Sequence, residues 1–582
     1  MNAERLLSLY ERVADAPDAV ARLRRLVLDL AVRGKLVEQD PEDEPASELL
    51  HKTTVRSSHR GQTKGSRKKA QSVAARKDLI FEIPAHWEPL LVSQALQAVQ
   101  TGPFGSSLHK SDYLKGGTPV LNPACIKNGF IVPNEEMAVG PATLERLASF
   151  KLRTNDILMA RRGEMGRCAV ITKREEGWLC GTGSLILRPS DALFPEYLAL
   201  VVSSPTGRTF LGRTAVGTTM QNLNQSILLR MPFGLPPLSE QRRIVAKVDE
   251  LMALLDRLES ARTKRETIRD RLTSASLARL TAPETTTTHF SSHARFALDV
   301  LPALSTRADQ MKSLRQTILN LAVRGKLLAQ NPEDEPASEL LKRIEAEKAR
   351  LLKAGEIKVR KLQARERSEP IDFRLPKGWV LSELGTVALK VTDGAHKTPT
   401  YVEKGVRFVS VKDFSGGKLD LSKTRFIPEA EHQVLYQRCD PRRGDILLGR
   451  IGTLGKAVLV DTDVEFSLFV SVGLIRFDHQ NLSPEFFRLL LNSPFVEQEF
   501  DRIKIGGGTH TNKLNLGDLH TVVLPIPPLA EQHRIVAKVD ELMALCDRLE
   551  AALSTADTTR SRLLESLIHE ALTPSDAIPE VA

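Results

Sequence analysis

The residues best suited to chemistry stand in three pairs of short segments, most of them rich in glycine. DILMARRGEMGR (156–167) supplies Arg161, Arg162 and Arg167, and DILLGRIGTLGK (445–456) supplies Arg450 and Lys456. An arginine in a loop after a strand can fork onto a guanine edge or clamp a phosphate. GTTMQNLN (217–224) offers Thr218, Thr219, Gln221, Asn222 and Asn224, and GTHTNKLN (508–515) offers Thr509, His510, Asn512 and Lys513. Such amides and hydroxyls suit adenine edges. The third pair, GPFGSSLHK (102–110) and DGAHKTPTY (393–401), carries Ser106, Ser107 and Lys110 against His396, Lys397 and Thr398. The plainer account of all three is turn formation with ordinary surface charge. On neither account do these groups make or break bonds.

Catalytic strings are missing. An adenine methyltransferase needs an N/D-P-P-F/Y loop, and the nearest string, NPACI (122–126), lacks the second proline and the aromatic. GRIGTLGKA (449–457) fails as a phosphate loop, because Arg450 stands where the first glycine belongs and Ala457 replaces Ser/Thr. Neither H-E-x-x-H nor G-x-S-x-G occurs. Glu356 and Lys358 form an E-x-K fragment of a nuclease signature, but in a charged linker with no preceding Pro-Asp. The 13 histidines lack metal-ligand spacing, and five single cysteines make neither a zinc site nor a disulfide framework. The expectation is a non-catalytic, cytoplasmic chain that binds no metal or cofactor of its own. No apolar run reaches membrane-spanning length, and the N-terminus does not read as a signal peptide.

The loops need a scaffold, and the sequence builds it twice. Residues 26–50 and 317–341 agree at 19 of 25 positions, and 235–261 and 526–552 at 22 of 27, both at an offset of 291, half of 582. Between these frames lie two weakly matching stretches that keep their landmarks in order: IPAHW (83–87) against LPKGW (375–379), and PEYLALVVSSP (195–205) against PEFFRLLLNSP (484–494). A duplicated frame with different inserts implies one job done on two targets.

After each Pro-Pro, apolar residues recur at spacings of three and four: Ile244, Val248, Leu251, Leu255, Leu258 in one copy and Ile535, Val539, Leu542, Cys546, Leu549, Leu553, Ala556 in the other. In the second copy Arg560 interrupts the stripe before Leu563 and Leu567 resume it. Helices over 238–281 and 529–572 are predicted, each about 66 Å long, stopped by Pro283 and Pro574 and burying their stripes on each other in antiparallel fashion. Runs such as GVRFVSV (405–411) and SVGLIRF (471–477) predict short strands. The fold class is therefore α+β: two pseudo-symmetric α/β domains separated by two long antiparallel helices forming a coiled-coil spacer. Expected boundaries are 1–80 (helical frame and basic linker), 81–236 (first domain), 237–371 (central helical region), 372–527 (second domain) and 528–582 (C-terminal helix). Segments 58–69 and 281–293 read as connectors, and 342–367 as a solvated helix.

Lys+Arg 82 against Asp+Glu 72 gives a net charge of +10, which favours a polyanionic partner. The domains themselves are only mildly basic, with 15 basic against 11 acidic residues in 83–235 and 19 against 18 in 375–526.

The duplicated LAVRGKL…PASELL before each insert, the LPxGW-like start and the LPPLxEQxRIVAKVDELMxLxDRLE string after it resemble the specificity subunit of type I restriction–modification enzymes. The resemblance implies a chain whose inserts are target recognition domains, each reading half of a bipartite asymmetric site on double-stranded DNA. It implies as partners two modification subunits, which bind S-adenosylmethionine and methylate adenine, and restriction subunits that use ATP and Mg2+ to translocate and cut. From the residues alone, a coiled-coil scaffold with protein-binding inserts competes with this reading. A free-standing nuclease or methyltransferase is disfavoured by the missing strings.

Overall fold

The structure is a computed structural model. It describes residues 3–51, 79, 81–104, 107–213, 223–281, 292–297, 307, 309–357, 374–452, 454–506 and 512–572. The chain divides into two compact units, Met1–Lys264 with Asp557–Ala582, and Arg265–Ala556. The connector expected at 58–69 lies outside the described residues, as do residues 282–291 of the one expected at 281–293, whose Thr281 instead ends the long helix and whose 292–293 are helical.

Each unit holds a frame helix, Ala19–Val32 or Gln310–Val323, which ends on the same device. In AVRGKL the glycine adopts a left-handed conformation (Gly34 φ 69°, Gly325 φ 65°), and the following lysine N–H reaches back to Leu30 O or Leu321 O at 2.9 Å. A residue with a Cβ is penalised in that conformation. Here the Cβ would also stand 2.4 or 2.3 Å from Pro84 or Pro376 Cγ, so these glycines also let the chain beginning each insert pass close.

The long helices span Leu238–Thr281 and Leu529–Leu572, 44 residues each, as the periodicity predicts. Their starts are clamped by the residues that the two frames share. Glu240 accepts the Trp87 indole N–H and the Gln39 amide at 2.9 Å each, and Glu531 accepts Trp379 and Gln330 at the same distances. Arg243 pairs with Asp43 and Arg534 with Asp334. Arg24 bridges Asp256 and Glu259, and Arg315 bridges Asp547 and Glu550. The near-identity of the frames is thus the conservation of one polar clamp in two settings.

The apolar stripes are buried somewhat differently from expectation. Ile244, Val248, Leu251 and Leu255 share a core with Leu23, Leu26, Val27 and Leu30 of the frame helix and with Leu564 near the end of the other long helix. In the second unit Ile535, Val539 and Cys546 pack with Ile318 and Ala322. Each helix start therefore buries its stripe on the core of its own unit rather than only on its counterpart. Beyond Arg560 the seam runs through Leu564, which is 1% exposed, whereas Leu563 faces outward. The helix Ala337–Lys353 is likewise not wholly solvated, since Ala337, Leu340, Ile344 and Leu351 are buried.

The two inserts share a topology. Each starts and ends on one antiparallel strand pair, Glu88–Leu91 with Pro232–Leu235 or Val380–Glu383 with Val523–Ile526. That neck brings both ends of the insert to one place on the frame. Beyond it stands a four-stranded antiparallel sheet, ordered Leu96–Thr101, Ser184–Pro189, Ile157–Ala160, Cys168–Val170 in one unit. Ala388–Asp393, Val472–Phe477, Ile446–Gly449 and Ala457–Leu459 repeat that order in the other. A smaller mixed sheet packs beside each. Among the described residues no helix is long and apolar enough to cross a membrane.

Candidate nucleic-acid interface

The described ends of the three loop pairs singled out in the sequence meet at one rim of each four-stranded sheet. In the first domain Thr101, Leu185, Met159 and Cys168 lie in register across the strand ends, and in the second Asp393, Gly473, Leu448 and Ala457 do so. The loops that leave these ends are stitched by backbone bonds that recur in both copies. Arg161 N–H donates to Gly183 O at 2.8 Å and its carbonyl accepts Leu223 N–H at 2.8 Å; Arg450 repeats this with Ser471 at 2.8 Å and Leu514 at 2.9 Å. The third loop joins through Gly102 N–H to Ser184 O (2.9 Å), and through Ala395 N–H to Leu468 O (2.7 Å). Glycine is required where these strands turn. A Cβ on Gly102 would stand 2.3 Å from Gly181 O, and one on Gly394 1.9 Å from Leu468 O.

An ion pair supports each sheet from within. Arg188 reaches Asp156 at 3.1 Å, and Arg476 reaches Asp445 at 2.7 Å. Burial raises the Asp156 carboxyl above its ordinary value despite that arginine. Asp440 goes the other way. Burial pushes it up, but Lys390 at 2.6 Å and Arg476 at 3.2 Å outweigh this and hold it at about 2.

The individual side chains fare unequally. Arg162 is exposed on the first rim, beside half-buried Arg167, while Arg161 turns its Nε onto Leu223 O at 3.3 Å. Arg450, proposed from the sequence as a DNA contact, is corrected by its surroundings. It is 7% exposed, and its guanidinium donates to Asp393 Oδ2 at 2.5 Å, Leu514 O at 3.0 Å and Val470 O at 3.2 Å. Those bonds commit it to holding the three loops together. The Lys456 ammonium donates to Ser415 O. Asn224 accepts Ser226 N–H at 3.1 Å and so caps the helix Gln225–Leu229. The Ser107 carbonyl receives Arg146 at 2.6 Å, and Lys110 is exposed on a short helical turn. His396, Lys397 and Thr398 are exposed beside the second rim. The half-buried Asn512 receives Gly452 N–H on its carbonyl at 3.4 Å, and exposed Lys513 pairs with Ile505 through its backbone. Ser106, Thr218, Thr219, Gln221, Asn222, Thr509 and His510 lie outside the described residues.

Two rim residues were not among the candidates, Asp393, although it opens the segment 393–401, and Arg438. Asp393 is 1% exposed, and it receives Arg450, the half-exposed Arg438 and His396 Nε2 at 3.1 Å. Strand register aligns Asp393 with Thr101, and counting back from the shared Asp445 and Asp156 aligns Arg438 with Ser149. A charged pair present in only one of two aligned copies was the available signal. Among the described residues no cluster of three or more His, Cys, Asp or Glu could hold a metal ion.

A duplicated sheet whose rims present different polar side chains defines a reader with two specificities, and the comparisons agree. Residues 104–267 and 376–556 match the family described as type I restriction modification DNA specificity domain, and the chain belongs to that family. Its role is that of a specificity subunit, and nothing supports the protein-binding scaffold. It is 28% identical to the type I restriction enzyme EcoAI specificity subunit of Escherichia coli over 95% of this chain and 94% of the relative. It is also 28% identical to the EcoEI specificity subunit of Escherichia coli, over the same shares. Among solved structures, the HsdS subunit of Thermoanaerobacter tengcongensis aligns at 18% identity over 85% of this chain and 98% of that one, with a TM-score of 0.40.

Proposed function

We propose that each domain reads one half of a bipartite, asymmetric site on double-stranded DNA, and that the two 44-residue helices fix the number of unread base pairs between the halves. The rims supply the discrimination: Arg162, Lys110, Ser107 and the loop around 218–224 on one, and His396, Lys397, Thr398 and the loop around 509–513 on the other. Methylation of adenine and cleavage belong to partner subunits. Two modification subunits bring S-adenosylmethionine, restriction subunits bring ATP and Mg2+, and the assembly works in the cytoplasm. This chain contributes no bond-making group.

One observation carries the reading: the backbone bonds through Arg161 and Arg450 are the same in both domains while the side chains displayed around them differ. A fold kept for stability alone has no reason to diverge there and stay constant in the frame. The weak net charge of each domain fits a reader that is closed on the duplex by partners, which supply much of the phosphate neutralisation. Mapping methylated adenines in the host genome, against a strain lacking this chain, tests it. A two-part motif that vanishes with the chain is expected; an unchanged methylation pattern overturns it. Inserting one helical turn in both long helices is expected to lengthen the unread gap and leave both half-sites intact. A constant gap refutes the ruler.

A further inference from the structure

Arg438 stands at the second rim without belonging to any of the loops recognised in the sequence. Its backbone is fixed, with Arg438 N–H on Leu435 O at 3.2 Å and Cys439 N–H on the same oxygen at 3.0 Å. Its Nη2 donates to Asp393 Oδ1 and lies 3.2 Å from His396 Nε2. Nε and Nη1 carry no hydrogen bond among the described residues, and the side chain is 53% exposed. A long side chain with this much surface ordinarily samples many rotamers, and fixing it costs side-chain entropy. Here that cost is met in advance by a carboxylate that cannot move, because Asp393 is itself buried and held by Arg450.

We infer that Arg438 reads a guanine in the half-site taken by the second domain, with Asp393 as the buried residue that positions it. This rests on the reading of the chain as a DNA specificity subunit. With His396 Nε2 donating to Asp393, Arg438 keeps its second Nη2 N–H, and paired with the Nη1 or Nε N–H beside it this makes a rigid fork, the geometry that matches guanine O6 and N7. A phosphate could take the same fork, so the charge beside it decides. Asp393 cancels one of the two guanidinium charges beside it, and its carboxylate repels a phosphate brought close. Arg450 points inward and supplies only the anchor. The first domain has Thr101 and Ser149 at the aligned positions, so this contact is confined to one half-site.

The experiment is selection of bound sites from a randomised duplex library with the full chain and its modification subunits. Wild type, R438A, R438K and D393N are compared at several salt concentrations, with the thermal midpoint of each recorded. The wild type is expected to require a G·C pair in the second half-site. R438A and R438K are expected to relax that one position roughly tenfold or more while leaving the first half-site unchanged. D393N relaxes the same position. If R438A does not fold, R438K decides, since lysine keeps the charge and loses the fork. A second half-site without a G·C pair overturns the inference. So does an even loss of affinity across all sequences that R438K restores, with a salt slope shallower by about one, the mark of a phosphate contact. A wild-type chain with no sequence preference at all sinks the specificity reading itself, a different pattern from either.

Discussion

Replacing Glu531 tests the clamp that seats the second domain on its frame. The carboxylate is 1% exposed and accepts the buried Trp379 indole N–H and the Gln330 amide, both at 2.9 Å. Glu531→Ala leaves both donors without an acceptor where water has little access. Each orphaned donor costs about 1–3 kcal/mol, so the loss is about 2–6 kcal/mol. For a unit of this size that lowers its unfolding midpoint by about 5–15 °C. Glu531→Gln keeps an acceptor for the indole but sets its own NH2 against that of Gln330. Gln330 can turn its amide over, at the expense of its 3.3 Å bond to Gly325 O, and the cost falls to about 1 kcal/mol. Burial also raises the Glu531 carboxyl above its ordinary value. The sign follows: a carboxyl whose folded value is raised adds stability that is fully present below its unfolded value and is lost as pH rises through the folded one. Wild type should therefore gain on the non-titrating Gln variant as the pH is lowered from 7 towards 4. Calorimetry of the full chain at pH 7, 5.5 and 4 reads all of this. An Ala variant within 2 °C of wild type, a Gln variant no better than Ala, or a gap that narrows on acidification would refute the argument.

Three further outcomes are expected. Burial pushes the Cys168 and Cys439 thiols up to about 12, so neither should react with iodoacetamide at pH 8 in the folded chain, and both should react in guanidinium; mass spectrometry that finds either labelled in the native state contradicts the burial. Asp440, held at about 2, contributes stability present above its unfolded value near 3.8 and lost as pH falls through about 2, so Asp440→Asn should trail wild type at pH 7 and meet it near pH 2 in acid titration followed by circular dichroism. Gly394→Ala drives a Cβ to 1.9 Å from the Leu468 carbonyl and should abolish discrimination in the second half-site with the first retained, whereas Gly416→Ala, which meets nothing within 4 Å, should be silent in the same binding selection.

The frame was readable because it is written twice. Several polar positions that agree across the 291-residue offset hold one another: Gln39, Asp43, Glu240 and Arg243 in one copy, Gln330, Asp334, Glu531 and Arg534 in the other. Identity over such a distance needs a shared constraint, and a buried clamp supplies it. The long helices were legible to the residue from their period, but not what covers them. Periodicity says that a stripe must be buried and is silent on the surface that buries it. The phase slip after Arg560, which puts Leu564 rather than Leu563 inside, falls where polar residues break the pattern.

The rims were legible as places and not as side chains. Arg161 and Arg450 occupy one aligned position, follow the same strand and make the same backbone bonds and the same Nε bond, to Leu223 O or Leu514 O, yet Arg450 goes on to a buried carboxylate. The difference lies 57 residues from Arg450, where Asp393 stands in place of Thr101 and draws the guanidinium into the interior. No local pattern encodes that, because an ion pair is a property of two strand ends that only the sheet brings together. The same carboxylate that removes Arg450 from the surface fixes Arg438 upon it. A domain can thus change which arginine its rim exposes by altering one residue at a strand end, without touching the loops or the frame. That gives a duplicated reader a short path to a second specificity: the stitching stays, and one buried charge decides which side chain is presented.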